Sequence, residues 1–207
     1  MAEIYYLGGA PCSGKTTAAS ALRARHGLRA FDLDRHLERL THRGMLDGNK
    51  LLRWASITPP EDTWRRPVAE QSYAEWAIYR AVFPYIRQEL DALGEGAPIL
   101  AEGTGLLPES LAEAHVAPDH CLFLVPSPDF QRVHFRQRPW VAQVLAHVEH
   151  PEEAFSVWMA RNDRFATAIR QQAQQLGYTV LETDESSSEA ATLRMVEQAL
   201  GLAKGKA

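Results

Sequence analysis

The residues able to do chemistry begin at Gly9-Ala10-Pro11-Cys12-Ser13-Gly14-Lys15-Thr16, which fits G-x-x-x-x-G-K-[ST], with Thr17 following. The glycines leave the backbone free to wrap, so successive N–H groups can converge on phosphate oxygens at a helix N-terminus. In such a loop Lys15 reaches the β- and γ-phosphates of a nucleotide, and the Thr16 hydroxyl ligates Mg²⁺. Gly9 through Thr17 are therefore the expected nucleotide-holding set. An apolar run before them, Ile4 to Leu7, reads as a buried strand, and an Ala/Leu-rich run after them, Thr17 to His26, as a helix. That is the context the motif requires.

Phosphoryl transfer over such a cradle is mostly positioning and electrostatics. It needs a metal site, cations on the transferring group and a carboxylate to take the acceptor's proton. Asp32 and Asp34 lead the carboxylates, because residues i and i+2 of an extended segment point to one side. Asp32, nearer the loop, is assigned to the Mg²⁺ shell, and Asp34 to the substrate hydroxyl. The bland alternative is a polar strand end with Asp34 capping the next helix. Glu102, at another strand end, reads equally as a carboxylate for the metal's water shell or for positioning a nucleophile, and as a capped strand end. Gly103, Thr104 and Gly105 follow it, and the two glycines permit close approach of backbone to a ligand.

Arg132, Arg136 and Arg138 cluster ahead of Pro139. Arginine stabilises the spread charge of a phosphoryl transition state and stacks on adenine. With Pro139 breaking the helix, the cluster reads as a mobile lid. The competing reading is a solvated basic face, since Arg132 and Arg136 are four apart. Arg161 and Arg164 could hold an anionic acceptor or lie on the surface. Trp54, Trp64 and Trp140 either line an acceptor pocket or pack. The eight histidines show no zinc-ligand spacing. Asp91-Ala92-Leu93-Gly94 matches the GTPase D-x-x-G only at a helix end, and Asn49-Lys50 precedes two leucines, so N-K-x-D is absent. ATP is the expected donor.

Five strands must position these groups: Ile4–Leu7, Leu28–Leu33, Pro98–Ala101, Cys121–Val125 and Tyr178–Leu181. Helices alternate with them, which gives a parallel α/β sheet. Ligands of such sheets sit beyond the carboxyl ends of the strands. Gly9, Asp32/Asp34, Glu102 to Gly105 and Thr183-Asp184 are then neighbours in space, Asp184 on the nucleotide side. A helix over Arg35–His42 is stopped by Gly44. A long helix over Pro67–Leu93 carries the stripe Trp76, Tyr79, Phe83, Ile86, Leu90, Leu93 and is kinked or broken at Pro84. The stretch Asp47–Pro60 has no firm pattern. Helices are also expected near Leu106–His115, Ser127–Arg136, Trp140–His147, Pro151–Leu176 (buried face Phe155, Trp158, Met159, Phe165, Ile169, Leu176) and Ser188–Leu202, with the 204–207 tail frayed.

At 207 residues and 45% hydrophobic composition, one domain with a sizeable core is expected. The net charge of −4 argues against a large sequence-blind nucleic-acid surface. Two cysteines, Cys12 in the loop and Cys121 in a strand, suggest no disulfide framework and a reducing cytoplasm. The N-terminus has no basic region of a signal peptide, and no apolar run approaches the ~20 residues of a membrane span.

Taken in order, these features resemble the nucleoside-monophosphate-kinase-like branch of P-loop kinases, which includes shikimate kinase, chloramphenicol phosphotransferase and zeta-toxin-type kinases. Asp32-Leu33-Asp34 resembles the D-x-D of shikimate kinase, whose first Asp serves the metal and whose second contacts the acceptor hydroxyl. Glu102-Gly103-Thr104-Gly105 stands at the Gly-rich acceptor loop. Arg138-Pro139 resembles the lid's R-P, and Arg132 the adenine-side arginine. Arg161 followed by Phe165 resembles a helical R-x-x-x-Tyr whose Arg binds the acceptor's carboxylate. The acceptor loop departs by carrying Glu102, and 44–66 is longer and richer in tryptophan. The resemblance implies a three-layer P-loop NTPase sandwich with sheet order 2-3-1-4-5, a helical acceptor-side region over about 44–93 and a lid over about 130–150. It implies transfer of the γ-phosphoryl of ATP, with Mg²⁺, to a small-molecule hydroxyl. Two alternatives stay open: a P-loop ATPase or regulatory nucleotide-binding module, and a toxin-type kinase acting on a nucleotide sugar or nucleic-acid end.

Overall fold

The computed structural model describes residues 2–59, 62 and 66–203; Trp64 and the 204–207 tail lie outside them. Strands β1 (Ile4–Gly9), β2 (Arg29–Asp32), β3 (Ile99–Glu102), β4 (Cys121–Pro126) and β5 (Thr179–Thr183) form one parallel sheet in the order β2-β3-β1-β4-β5. This is the expected order. β3 and β4 are buried at every residue, as continuous apolar runs must be when helices cover both faces of a parallel sheet.

The two faces separate by strand alternation. Leu7, Leu100, Leu122 and Leu124 pack with Leu22 of α1 (Lys15–His26) and Val196 of α9 (Glu189–Ala199). Tyr6, Phe31, Ala101 and Phe123 face the other way. They pack with Ile86 of α4 (Val68–Ala92) and with Phe165 and Ile169 of α8 (Pro151–Gln175). A smaller cluster of Phe135, Val141, Phe155, Trp158 and Met159 joins α8 to α6 (Pro128–Arg136) and α7 (Pro139–Leu145). Burying a side chain such as Phe155 is worth about 1.5–3 kcal/mol, so the arginine-bearing segment has a core of its own.

Several element expectations change. Helix α2 runs Leu33–Leu46, straight through Gly44. A Cβ on Gly44 would lie 2.2 Å from Leu52 Cδ1. The glycine therefore lets α3 (Lys50–Ile57) pack close against α2 and does not end the helix. α3 fills part of the unassigned stretch, and the Asn49 side chain caps it by accepting from the N–H groups of Leu51 and Leu52 at 3.0 Å. Helix α4 is not broken at Pro84. Pro84 is exposed, so water can serve the carbonyl freed by the missing N–H. Leu93 and Leu176, expected on buried stripes, are 39% and 41% exposed, each just past its helix. The break between α6 and α7 falls at Pro139 as expected. No described helix is long and apolar enough to cross a membrane, and both cysteines are free.

Candidate active site

At the carboxyl end of β1, Gly9 adopts φ +127°, and a Cβ there would lie 1.9 Å from the Leu124 carbonyl oxygen. Only glycine allows that turn beside β4. Gly14 (φ +85°) caps α1, and Cys12 takes a left-handed φ of +61°. Lys15 is 5% exposed, and its Nζ donates to the Ala10 carbonyl at 2.7 Å and lies 3.4 Å from Ser13 Oγ. Burial pushes its ammonium pKa down, while the Asp34 and Glu102 carboxylates oppose that. Gln131 of α6, itself buried, donates from Nε2 to the Pro11 carbonyl at 2.8 Å. The helix leading to the arginine cluster is thereby tied to the loop.

Asp32 and Asp34 take different partners. β2 ends at Asp32 and α2 starts at Leu33, so the extended spacing stops one residue too early. Asp32 is the cap: it accepts from Arg35 N at 3.2 Å and pairs with Arg35 Nε at 2.9 Å. The capping role weighed for Asp34 falls on Asp32. Asp34, in the first turn of α2, accepts through Oδ1 from the backbone N–H of Thr104 at 3.1 Å. Gly103 makes this possible. Its φ is +154°, and a Cβ would lie 2.6 Å from Leu33 Cβ, so a side chain there would push the Thr104 amide off Asp34.

Glu102 is 4% exposed and lies opposite Leu7 of β1 and Asp32 of β2. Burial pushes its pKa up, with smaller upward contributions from Asp32 and Asp34, while Lys15 and a hydrogen bond with the Thr16 side chain pull it down. Its Oε2 has no hydrogen-bond partner. A buried orphan carboxylate oxygen beside a threonine hydroxyl is a hard-oxygen donor set that fits Mg²⁺. That ion needs only one or two protein carboxylates besides water and phosphate oxygens. The described residues contain no cluster of three or more His, Cys, Asp or Glu side chains able to ligate a metal, and this role requires none.

Three cavities adjoin. The largest, about 790 Å³, runs over Cys12–Gly14 and Thr17 to Phe130, His134, Thr183, Glu185 and Ser187. The central one, about 350 Å³, holds Lys15, Thr16, Asp34, Thr104, Tyr79, Trp140, Trp158 and Arg161. Arg138 lines both. The third, about 200 Å³, is lined by Leu37, Trp54, Arg66, Gln71, Glu75, Tyr79 and Arg161, the first and last two of which also line the central cavity.

Of the three arginines expected to form a lid, Arg138 alone lines any of these three cavities, and it hydrogen-bonds Cys12. Arg136 pairs with Glu152 at 2.7 and 2.9 Å and lies 4.1 Å over the Phe155 ring, bracing α6 to α8. Arg132, counted on the adenine side, is exposed 5.9 Å from the same ring and lines neither cavity; the nearby ring pair Phe130–His134, at 4.1 Å, does line the nucleotide-side cavity. Asp184 is also turned to local work, accepting from Ser186 N at 2.9 Å and from the hydroxyls of Ser186 and Ser187 at 2.7 and 3.1 Å. Its neighbours Thr183 and Glu185 line the cavity instead. Arg164 is exposed. Trp54 and Trp140 stand on cavity walls, and the Arg66 guanidinium lies 4.5 Å over Trp54.

Sequence reasoning missed Gln71 and Glu75; Tyr79, expected on the buried stripe, is in the core and also lines two of the cavities. The three are spaced four apart on α4, so they form a polar row beside its apolar stripe. That row was the available signal. Burial, with Glu75 and Asp34 nearby, holds the Tyr79 pKa well above its ordinary value, so its hydroxyl stays neutral. It donates to Glu75 Oε1 at 3.4 Å.

In sequence the chain matches no family model and no curated protein. Its structure is similar to shikimate kinase from Acinetobacter baumannii in complex with shikimate, with a TM-score of 0.55 at 17% identity, over 100% of this chain and 97% of that one. It is similar to TT1252 from Thermus thermophilus, with a TM-score of 0.55 at 19% identity over 100% and 99%. It is also similar to shikimate kinase from Bacteroides thetaiotaomicron, at 0.52 and 16% over 97% and 98%. At these identities the likeness is one of fold: the chain has the nucleoside-monophosphate-kinase-like P-loop fold along essentially its whole length.

Proposed function

We propose that this chain of P-loop kinase fold transfers the γ-phosphoryl group of ATP, with Mg²⁺, to a hydroxyl of a small molecule. The observation that carries the reading is one cavity in which the Lys15 loop, the Asp34–Thr104 pair and Arg138 converge, sharing walls on one side with a nucleotide-sized space and on the other with a smaller pocket. The amides of Gly9–Thr17 cradle the phosphates. Lys15 exchanges its contact with the Ala10 carbonyl for β/γ-phosphate oxygens. The Thr16 hydroxyl and Glu102 would hold Mg²⁺, which when bound neutralises charge on the β- and γ-phosphate oxygens. Asp34 is held by the Thr104 amide and takes the proton of the acceptor hydroxyl. Arg138 lies at the boundary of donor and acceptor spaces, where transition-state charge develops. Residues 44–93 supply the acceptor side and 130–150 the lid of one domain.

The test is acceptor-dependent transfer. With ATP labelled at the γ-phosphorus and a panel of hydroxylated metabolites, label is expected to appear as a phosphate monoester on an alcohol. ATP hydrolysis that no acceptor alters would favour a nucleotide-binding module instead. In the same assay Arg138→Ala is expected to lower kcat by about 10²–10³, the effect of losing one electrostatic donor, with a smaller change in the KM for ATP. A normal kcat would return Arg138 to the solvated basic face.

A further inference from the structure

The third cavity carries information about the acceptor. Leu37, Ala55 and Ile78 give it an apolar wall. Gln71 lines it, yet is only 2% exposed. Gln71 Nε2 donates to the Arg66 carbonyl at 2.7 Å, which sets the orientation of the amide. Reversed, its oxygen would face another carbonyl oxygen. Oε1 is therefore the atom left over, buried and without a hydrogen-bond partner. Buried carbonyl oxygens are almost always paired, because leaving one unpaired costs its full desolvation. Because Gln71 lines this cavity, a ligand bound there that brings an N–H or O–H can complete the orphan.

The charges at the same place favour an N–H. Arg161 is not presented as a bare anion receptor: Glu75 Oε2 lies 3.4 Å from its Nε, and Asn162 Oδ1 accepts from its Nη2 at 2.9 Å. A carboxylate aimed at Arg161 would have to approach Glu75, a charge of its own sign. The family resemblance implies a carboxylate on Arg161, and this pairing argues against it. Glu75, one turn along α4 from Gln71 and on the same cavity wall, also only accepts through its carboxylate. A group that donates suits both oxygens, and an N–H does so without adding a lone pair beside them.

We infer that the acceptor alcohol carries an amide or amine N–H that seats on Gln71 Oε1, and not a carboxylate that seats on Arg161. The inference rests on the kinase reading for the reacting hydroxyl, but the seat itself does not.

The experiment compares matched probes. Three hydroxylated scaffolds, a cyclohexanol, a benzyl alcohol and a butanol, are each made with an acetamide, an acetate ester or a carboxylate at the far end. Binding to the full chain, saturated with a non-hydrolysable ATP analogue and Mg²⁺, is measured by calorimetry. On the best scaffold the acetamide is expected to bind at least about tenfold tighter than the ester, which differs only by lacking the N–H. Gln71→Met is expected to erase that difference and leave ATP-analogue affinity unchanged. Equal binding of acetamide and ester by the wild type, absence of binding by every acetamide, tightest binding by a carboxylate, or persistence of the preference in Gln71→Met would each overturn the inference. The wild-type comparison needs no variant to fold. The two readings fail separately: phosphoryl transfer to a carboxylate-bearing alcohol sinks the N–H seat and leaves the kinase, whereas an acetamide preference without Lys15-dependent ATP-analogue binding keeps the seat and sinks the kinase.

Discussion

Lys15→Ala is expected to abolish measurable turnover and weaken ATP binding. The ammonium sits inside the loop's own turn, 5% exposed, against the Ala10 carbonyl and the Ser13 hydroxyl. Neither neutralises it, and burial presses it toward the neutral form while the Asp34 and Glu102 carboxylates oppose that. A charge kept at that desolvation cost contributes little to folding and much to an arriving anion. Its removal should cost at least the about 10²–10³ in rate that one preorganised electrostatic donor supplies, on top of lost ground-state affinity. The fold should survive, with a shift in thermal midpoint of no more than about 4 °C, the scale of 1 kcal/mol for a chain of this size. Steady-state kinetics, calorimetric titration with an ATP analogue and a melting curve read the three effects separately. Unchanged ATP affinity with unchanged activity would remove the phosphate-loop reading, and with it the rest of the site.

Asp34→Asn should be the next largest loss. The asparagine side-chain oxygen can still accept from the Thr104 amide, so the α2–β3 contact and the acceptor pocket keep their shape. The side chain can no longer take a proton. A general base contributes about 10²–10⁴-fold, so kcat should fall by about that much while the KM for the acceptor and the affinity for the ATP analogue hold. Asp32→Asn is the contrast. Its side chain caps α2, and asparagine caps as well as aspartate, so the geometry expects that variant to stay active. If Asp32→Asn is the dead variant and Asp34→Asn the active one, the metal and base roles lie with Asp32 and the capping geometry is incidental. If neither loses activity, Glu102, with its unpaired Oε2 beside Thr16, becomes the working carboxylate.

These two substitutions mark where the sequence sufficed and where it did not. The Lys15 loop was legible because its geometry is local. Gly9 and Gly14 supply left-handed backbone, the flanking runs supply strand and helix, and both hydrogen bonds that seat the lysine lie within five residues. The sheet was legible for a related reason: apolar runs at regular spacing, separated by helical periodicity, admit a parallel sheet with few topologies. Its order follows from the resemblance and is the one observed.

The rest depends on partners far along the chain. Asp34 was separable from Asp32 only once Thr104, 70 residues on, offered its amide, and that amide points correctly because Gly103 lacks a Cβ. Arg132, Arg136 and Arg138 are alike in composition, but only the packing of α6 on Phe155 decides which of them faces a cavity. Gly44 and Pro84 are helix breakers by propensity. A close neighbour at Leu52 explains the one, and exposure to solvent allows the other. The row Gln71, Glu75 and Tyr79 looks like ordinary helix surface and stripe until α2, α3 and α8 enclose it. Local sequence sets backbone conformation within a few residues. What each side chain touches is set by which distant elements share its layer, and in this protein that second level shapes the proposed acceptor side.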